Sequence, residues 1–191
     1  MVKEPRPGRV KTRLGRDIGL IDATWWYRHQ TRNLLRRIRD PRWSLLLAVA
    51  PDVAGLASRV WPRDVPRIPQ GTGDLGARMA RALAQTRGPS LLIGSDIPAV
   101  NKHHIARAFR SIPTAGSVIG PATDGGYWLV GLAHPNRPYS KLFKDVRWST
   151  SHTLSDTQET LPKPVVLVDP LADIDTAADL HLFQNTQSRR A

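Results

Sequence analysis

Short apolar runs alternate with amphipathic segments along nearly the whole chain, and this alternation leaves few folds open. It is the pattern of an α/β layered fold in which strands and helices take turns. Asp22 to Arg39 predicts a helix, and Trp43 to Ala50 a buried strand stopped by Pro51. Asp74 to Arg87 predicts a helix with Leu75, Met79, Ala82 and Leu83 on one face and Asp74 as its cap. Ser90 to Ser95 reads as a second buried strand ended by Asp96-Ile97-Pro98, and Asn101 caps a helix running to Ile112. Ser117 to Gly120 and Tyr127 to Leu132 read as strands on either side of Asp124-Gly125-Gly126. A helix over Ser151 to Leu161, a strand over Val165 to Val168 and a last helix over Thr176 to Phe183 complete the series, with Gln184 to Ala191 a frayed polar tail.

Length and composition narrow the class further. A chain of 191 residues supports one domain, 1–191, with a real core. The longest unbroken apolar run, Leu45 to Ala50, is far short of the ~20 residues a membrane helix needs, and no apolar segment follows Lys3 and Arg6 as in a secretory signal. With no cysteine there is no disulfide, thiolate zinc site or cysteine nucleophile, and a cytoplasmic address is the expectation. The net charge of +12 is concentrated in residues 1–50, which hold 12 Lys/Arg against 4 Asp/Glu. Arg28, Arg32, Arg36 and Arg39 form a stripe that reads first as a solvated helix face, with a phosphate-rich partner or an anionic membrane surface as the alternative. Only Met1 and Val2 precede Lys3-Glu4-Pro5, where a βα fold with an early phosphate loop places a buried strand. The first strand is therefore expected to be truncated or missing, leaving a weakened or open position in the sheet.

Five segments have the residue types that chemistry needs. In Pro5 to Gly15, Gly8 lets backbone N–H groups approach an anion while Lys11 and Arg13 supply charge for phosphate oxygens; a surface turn rich in Arg is the other reading. Gln70 to Arg78 runs Gly71, Gly73, Asp74 and Gly76 into a helix N-terminus, which suits an anion, a nucleobase or a ribose; a helix entry capped by Asp74 accounts for only part of it. Asp96 stands at the C-terminal end of an apolar strand, where open α/β sheets bind ligands, and suits Mg²⁺ or Mn²⁺; it also suits a turn cap. Asp124-Gly125-Gly126 is an ordinary hairpin signal, but Tyr127 and Trp128 beside it offer a stacking surface, which suggests an acceptor site with Asp124 as base or metal partner. Asp173 and Asp175 point the same way if their segment is extended, although Asp175-Thr176 also reads as a helix cap. Trp148-Ser149-Thr150 either caps the next helix or lines the pocket, and the six histidines show no ligand spacing.

In this order PRPGRVKTRLG, QGTGDLGARM, GSDIP, GPATDGGYWLVGL, VRWST and DIDTAADL resemble a bacterial family of GT-A-fold, glycosyltransferase-like proteins, some associated with arsenosugar biosynthesis. The family is similar in turn to molybdenum-cofactor and 2-phospho-lactate guanylyltransferases. The resemblance implies a three-layer, mostly parallel Rossmann-like sheet binding an activated nucleotide with a divalent metal. It implies a transferase that moves a glycosyl group from a nucleotide sugar to a small-molecule acceptor. The runner-up is nucleotidyl transfer from an NTP with release of pyrophosphate, and the third reading is a non-catalytic nucleotide or nucleic-acid binding module. On the leading reading Gly8, Lys11 and Arg13 meet the phosphates, Gly71, Gly73, Asp74 and Gly76 the nucleoside, and Gly125, Gly126, Tyr127 and Trp128 the acceptor. Such enzymes usually carry Asp-X-Asp, whereas Ser95-Asp96 leaves one acid here, so the metal needs a second ligand, with Asp175 the candidate.

Overall fold

The computed structural model describes residues 1–188. β1 (Val2–Lys3), β2 (Leu47–Ala50) and β3 (Arg67–Pro69) form a parallel sheet in the order β1-β2-β3. β4 (Ser90–Ile93), β5 (Ser117–Pro121), β6 (Tyr127–Leu132) and β7 (Val165–Leu167) form a second sheet ordered β4-β6-β5-β7. The Met1 amine donates to the Ile93 carbonyl at 2.6 Å, so the edge of the first sheet meets the edge of the second across the short β1. β6 runs antiparallel to both neighbours, because the turn at Asp124-Gly125-Gly126 is too short for a crossover and returns the chain as a hairpin.

Helices cover both faces of the second sheet. Val118 and Ile119 are adjacent in β5 and fully buried, and strand alternation sends them to different cores. Val118 packs with Leu34 of α2 (Leu20–Arg37) and with Ile105 and Ala108 of α5 (Lys102–Ser111). Ile119 packs with Met79 and Leu83 of α4 (Leu75–Ala84) and with the segment at Phe143. Burying each such side chain contributes roughly 1.5–3 kcal/mol, enough to fix the strand's facing. The result is the α/β three-layer architecture expected, with its first strand cut to two residues.

Element ends follow local chemistry. Asn101 accepts from the backbone N–H groups of His103 and His104, and His104 reaches back to the Asn101 N–H, so α5 begins on a complete capping box. Three elements were not anticipated: α1 (Thr12–Ile18), α3 (Asp52–Ala57) and β3. β2 begins at Leu47 rather than Trp43, since the Trp43 indole instead donates to the Ile38 carbonyl. After α6 (Thr153–Thr160), α7 spans Ala177–Ser188, so residues 184–188 continue a helix where a frayed tail was expected; 189–191 lie outside the described residues. Among the described residues no helix is long and apolar enough to cross a membrane. Arg32 and Arg36 are exposed on α2, Arg39 just beyond its end is exposed and paired to Asp64, and Arg28 lies over the Trp25 ring.

Candidate active site

The C-terminal end of β4 leads through Gly94 and Ser95 to Asp96, and every charged group of the site is placed relative to this carboxylate. Ser95 is buried and its hydroxyl is bonded to the Tyr27 hydroxyl at 3.0 Å, which also accepts from the Lys3 N–H. The Asp96 carbonyl accepts from the Ile174 N–H at 3.3 Å. That bond lays the segment after β7 across the strand ends. Asp96, Asp173 and Asp175 consequently present carboxylate oxygens within 4.8 Å of one another.

Lys11 enters this cluster from the other side. Its ammonium lies 2.7 Å from Asp96 Oδ2 and 2.7 Å from Asp175 Oδ1, with only 6% of the side chain exposed. Burial opposes its charge, but the two carboxylates outweigh burial and hold the ammonium above its ordinary range. Lys11 adopts the left-handed conformation, φ 45°, immediately before α1, an uncommon state for a residue with a side chain. Arg13 adds a second cation on Asp175 at 3.1 Å. Burial, followed by the charges of Asp175 and Asp124, pushes the Asp173 carboxyl up to about 6. Three acids balanced by a buried lysine form an oxygen-only donor set of the kind that hard dications take.

The cluster lines a cavity of about 930 Å³. Arg9, Lys11, Arg13 and Arg78 border it as cations, Asp74 at the start of α4, Asp124 in the β5–β6 turn, and Trp148 to Ser151 beyond. Lys11, Arg13, Asp74, Asp96, Asp124, Gly126, Tyr127 and Asp175 are thus brought to one cavity, as their motifs suggested. Gly8, Gly71, Gly73, Gly76 and Gly125 are not among the residues bordering it. Gly76 serves packing: a Cβ there would lie 2.7 Å from the Phe143 carbonyl oxygen and 2.9 Å from the Trp148 ring. Gly125, φ +89°, likewise lets the turn approach Ser151, whose Cα would be 2.7 Å from a Cβ. Asp74 does cap α4, accepting from the Ala77 N–H at 2.8 Å.

Trp128 is not a stacking platform. It is 2% exposed, packs in the core with α5, and its indole donates to the Asp169 carbonyl at 2.9 Å. The aromatic residues bordering the cavity are Tyr27, Tyr127, whose hydroxyl points to the Met79 sulfur, Trp148 and the almost wholly buried Trp128. Asp175 does not cap α7. Thr176 and Asp179 do so reciprocally, which leaves the Asp175 carboxylate for Lys11 and Arg13. Asp173 and Arg78 were not singled out as site residues. Asp173 had a signal in its spacing of two from Asp175, and Arg78 in its position one helical turn after Asp74.

Residues 34–150 match the family described as uncharacterized protein conserved in bacteria (DUF2064). The chain belongs to that family. Asp96 and Asp124 fall inside the matched region, whereas Lys11, Asp173 and Asp175 come from outside it. A crystal structure from Desulfovibrio desulfuricans G20, described as a "putative nucleotide-diphospho-sugar transferase", superposes with a TM-score of 0.82 at 28% identity. The match covers 97% of this chain and 84% of that one, so the likeness reaches the segments carrying Lys11, Asp173 and Asp175.

Proposed function

We propose that this DUF2064 protein is a metal-dependent transferase that moves a glycosyl group from a nucleotide diphospho-sugar to a small-molecule acceptor. The observation that carries the reading is the union of Asp96, Asp173 and Asp175 with Lys11 and Arg13 at the strand ends of a cavity large enough for a nucleotide. The likeness to the Desulfovibrio structure supports the same donor class. The three carboxylates would hold Mg²⁺ or Mn²⁺. Bound there, the cation would offset negative charge on a diphosphate.

Lys11 and Arg13 bind and stabilise the diphosphate as it leaves, the largest contribution available without a covalent nucleophile. Asp124, whose Oδ1 accepts from the Gly126 N–H at 2.9 Å, is held at the cavity wall by its own turn. From there it takes the proton of the acceptor hydroxyl as that oxygen bonds to the anomeric carbon and the bond to the diphosphate oxygen breaks. Tyr127 and Trp148 form the apolar side of the acceptor space.

The deciding experiment is a thermal-shift and calorimetric screen of UDP-, GDP-, ADP- and dTDP-sugars against the corresponding NTPs, each with Mn²⁺ and with EDTA. A Mn²⁺-dependent shift with a nucleotide sugar, absent in Asp96→Asn, is the expected result; ligand at 100 Kd adds ~2.7 kcal/mol. An NTP-only shift with pyrophosphate release would replace glycosyl transfer by the guanylyltransferase-like alternative. No shift with either class would remove the donor assignment.

A further inference from the structure

The arginine stripe on α2 does not end at Arg28. Followed toward the start of the helix, the spacing of three and four residues that joins Arg36, Arg32 and Arg28 goes on to Trp25 and Ile21. One solvent-facing stripe about 22 Å long is thus basic at one end and apolar at the other. Ile21 is 65% exposed, Trp25 54% and Leu20 beside them 46%, whereas Ala23, Tyr27, Leu34 and Leu35 on the opposite side of the helix are buried. The loop Arg6 to Arg9 adds to this face. A Cβ on Gly8 would lie 3.9 Å from Leu20 Cδ1, and Arg6 and Arg9 are both exposed.

Exposed apolar side chains are ordinary when scattered singly, whereas here they are grouped, and the cations around them are left unneutralised. Among the described residues none of Arg6, Arg9, Arg28, Arg32 and Arg36 takes part in an ion pair, and Asp22 is the one acid of α2. The Arg28 guanidinium lies over the Trp25 ring, 5.8 Å from its centroid, and the His29 imidazole stacks on that ring at 5.0 Å. An apolar ring beside a charged rim is the composition favoured at the boundary between membrane and water.

These features discriminate among partners. A second copy of the chain would bring two sets of these five guanidinium groups to one interface. A nucleic-acid backbone would meet the arginines but leave Leu20 and Ile21 without a partner, since aliphatic side chains neither stack on bases nor bond to phosphates. An anionic bilayer offers phosphates to one end of the stripe and a hydrocarbon boundary to the other. We propose that this face of α2, with the loop Arg6 to Arg9, is a docking surface for an anionic lipid bilayer. Leu20, Ile21 and Trp25 enter the headgroup layer, Arg28, Arg32 and Arg36 lie along its phosphates, and the protein stays peripheral. Because Arg9 also borders the active-site cavity, docking brings one wall of that cavity close to the lipid surface.

The test is sedimentation of the full chain with vesicles of phosphatidylcholine alone and of phosphatidylcholine with phosphatidylglycerol. Binding is expected to be at least about tenfold stronger to the anionic vesicles and to weaken with salt. Arg28→Gln/Arg32→Gln/Arg36→Gln should lower partitioning by about a hundredfold, roughly fivefold per arginine. Ile21→Ser/Trp25→Ser should lower it by about tenfold with the salt dependence unchanged. None of the substituted residues borders the active-site cavity, so the variants are expected to keep the parental Tm and nucleotide binding. Quenching by bromine-labelled lipid, reduced in Trp25→Phe, reads the same contact in a chain with a single conservative change. Equal sedimentation with both vesicle types would overturn the proposal, as would anionic binding that Ile21→Ser/Trp25→Ser leaves unchanged. Poly(U) RNA that competes the protein off the vesicles, and binds that apolar variant as tightly as the parent, would assign the face to nucleic acid instead.

Discussion

Lys11 stands between Asp96 and Asp175, and the more exposed Arg13 adds a second cation on Asp175. If a dication takes over that balancing role, the ammonium and the ion compete for the same oxygens. Lys11→Met should then lower the unfolding free energy of the metal-free protein by about 1–2 kcal/mol after allowing for the exposure of both aspartates. The same variant should bind Mn²⁺ more tightly and nucleotide diphosphates more weakly; weaker Mn²⁺ binding by isothermal calorimetry would count against the site. Asp173 makes the complementary case. Its carboxyl is pushed up to about 6, above its unfolded value, by burial and by Asp175 and Asp124. The folded protein thus binds the extra proton between pH 4 and 6, and the stability tied to that proton is lost as pH rises through this window. Asp173→Asn should match the parent at pH 4, exceed it by a few degrees in Tm at pH 7, and lose Mn²⁺ affinity. The Met1 amine is lowered to about 6 by burial, which the charge of Asp96 only partly offsets. Here the unfolded chain holds the proton over pH 6–8, so this group's contribution to stability rises with pH across that range, by on the order of 2 kcal/mol. Nα-acetylation should flatten the rise in urea titrations, because the amide keeps its bond to Ile93 without the charge.

At the scale of elements, the helices with strong periodicity and a capping side chain were legible from the sequence. α4 and α5 begin where Asp74 and Asn101 foretell, because those caps satisfy N–H groups that nothing else can reach. α3 and β3 were hidden for a physical reason. α3 is six residues with a single buried position, Gly55, and β3 is three residues that follow Pro66 and end on Pro69, paired on one side to β2 as an edge strand. The burial of Trp128 has a similar cause: neighbouring residues in a strand face opposite sides, so beside a half-buried Tyr127 the Trp128 ring packs into the core. The carboxylates were partly legible. Asp96 follows from its strand end, but nothing in a one-dimensional pattern brings Asp173 within reach of it, since the Ile174 to Asp96 main-chain bond makes that join. Gly76 gives the element-scale prediction. Gly76→Ala sets a Cβ against the Phe143 carbonyl, a backbone atom that cannot step aside. The expected cost is about 2 kcal/mol with a shift of α4 from the 143–148 segment, read by denaturant unfolding and by quenching of Trp148 fluorescence.

For the whole molecule, the site is a seam between distant parts of the chain rather than the property of one motif. EDTA should leave the Tm of the purified apoprotein unchanged, since Lys11 and Arg13 already balance the acids, whereas saturating Mn²⁺ should raise it. A fall in Tm on EDTA treatment would mean that the protein is isolated with a tightly held metal. The Lys11 to Asp175 bond also fixes an order of events in time, because it joins positions 164 apart in sequence. A ribosome adding about 5–20 residues per second takes roughly 10–30 s to travel that interval. For most of it, the basic residues 1–50 have been made while Asp173 and Asp175 have not. The nascent protein therefore cannot assemble its charged centre until Asp175 has been made, however early its lysine emerged.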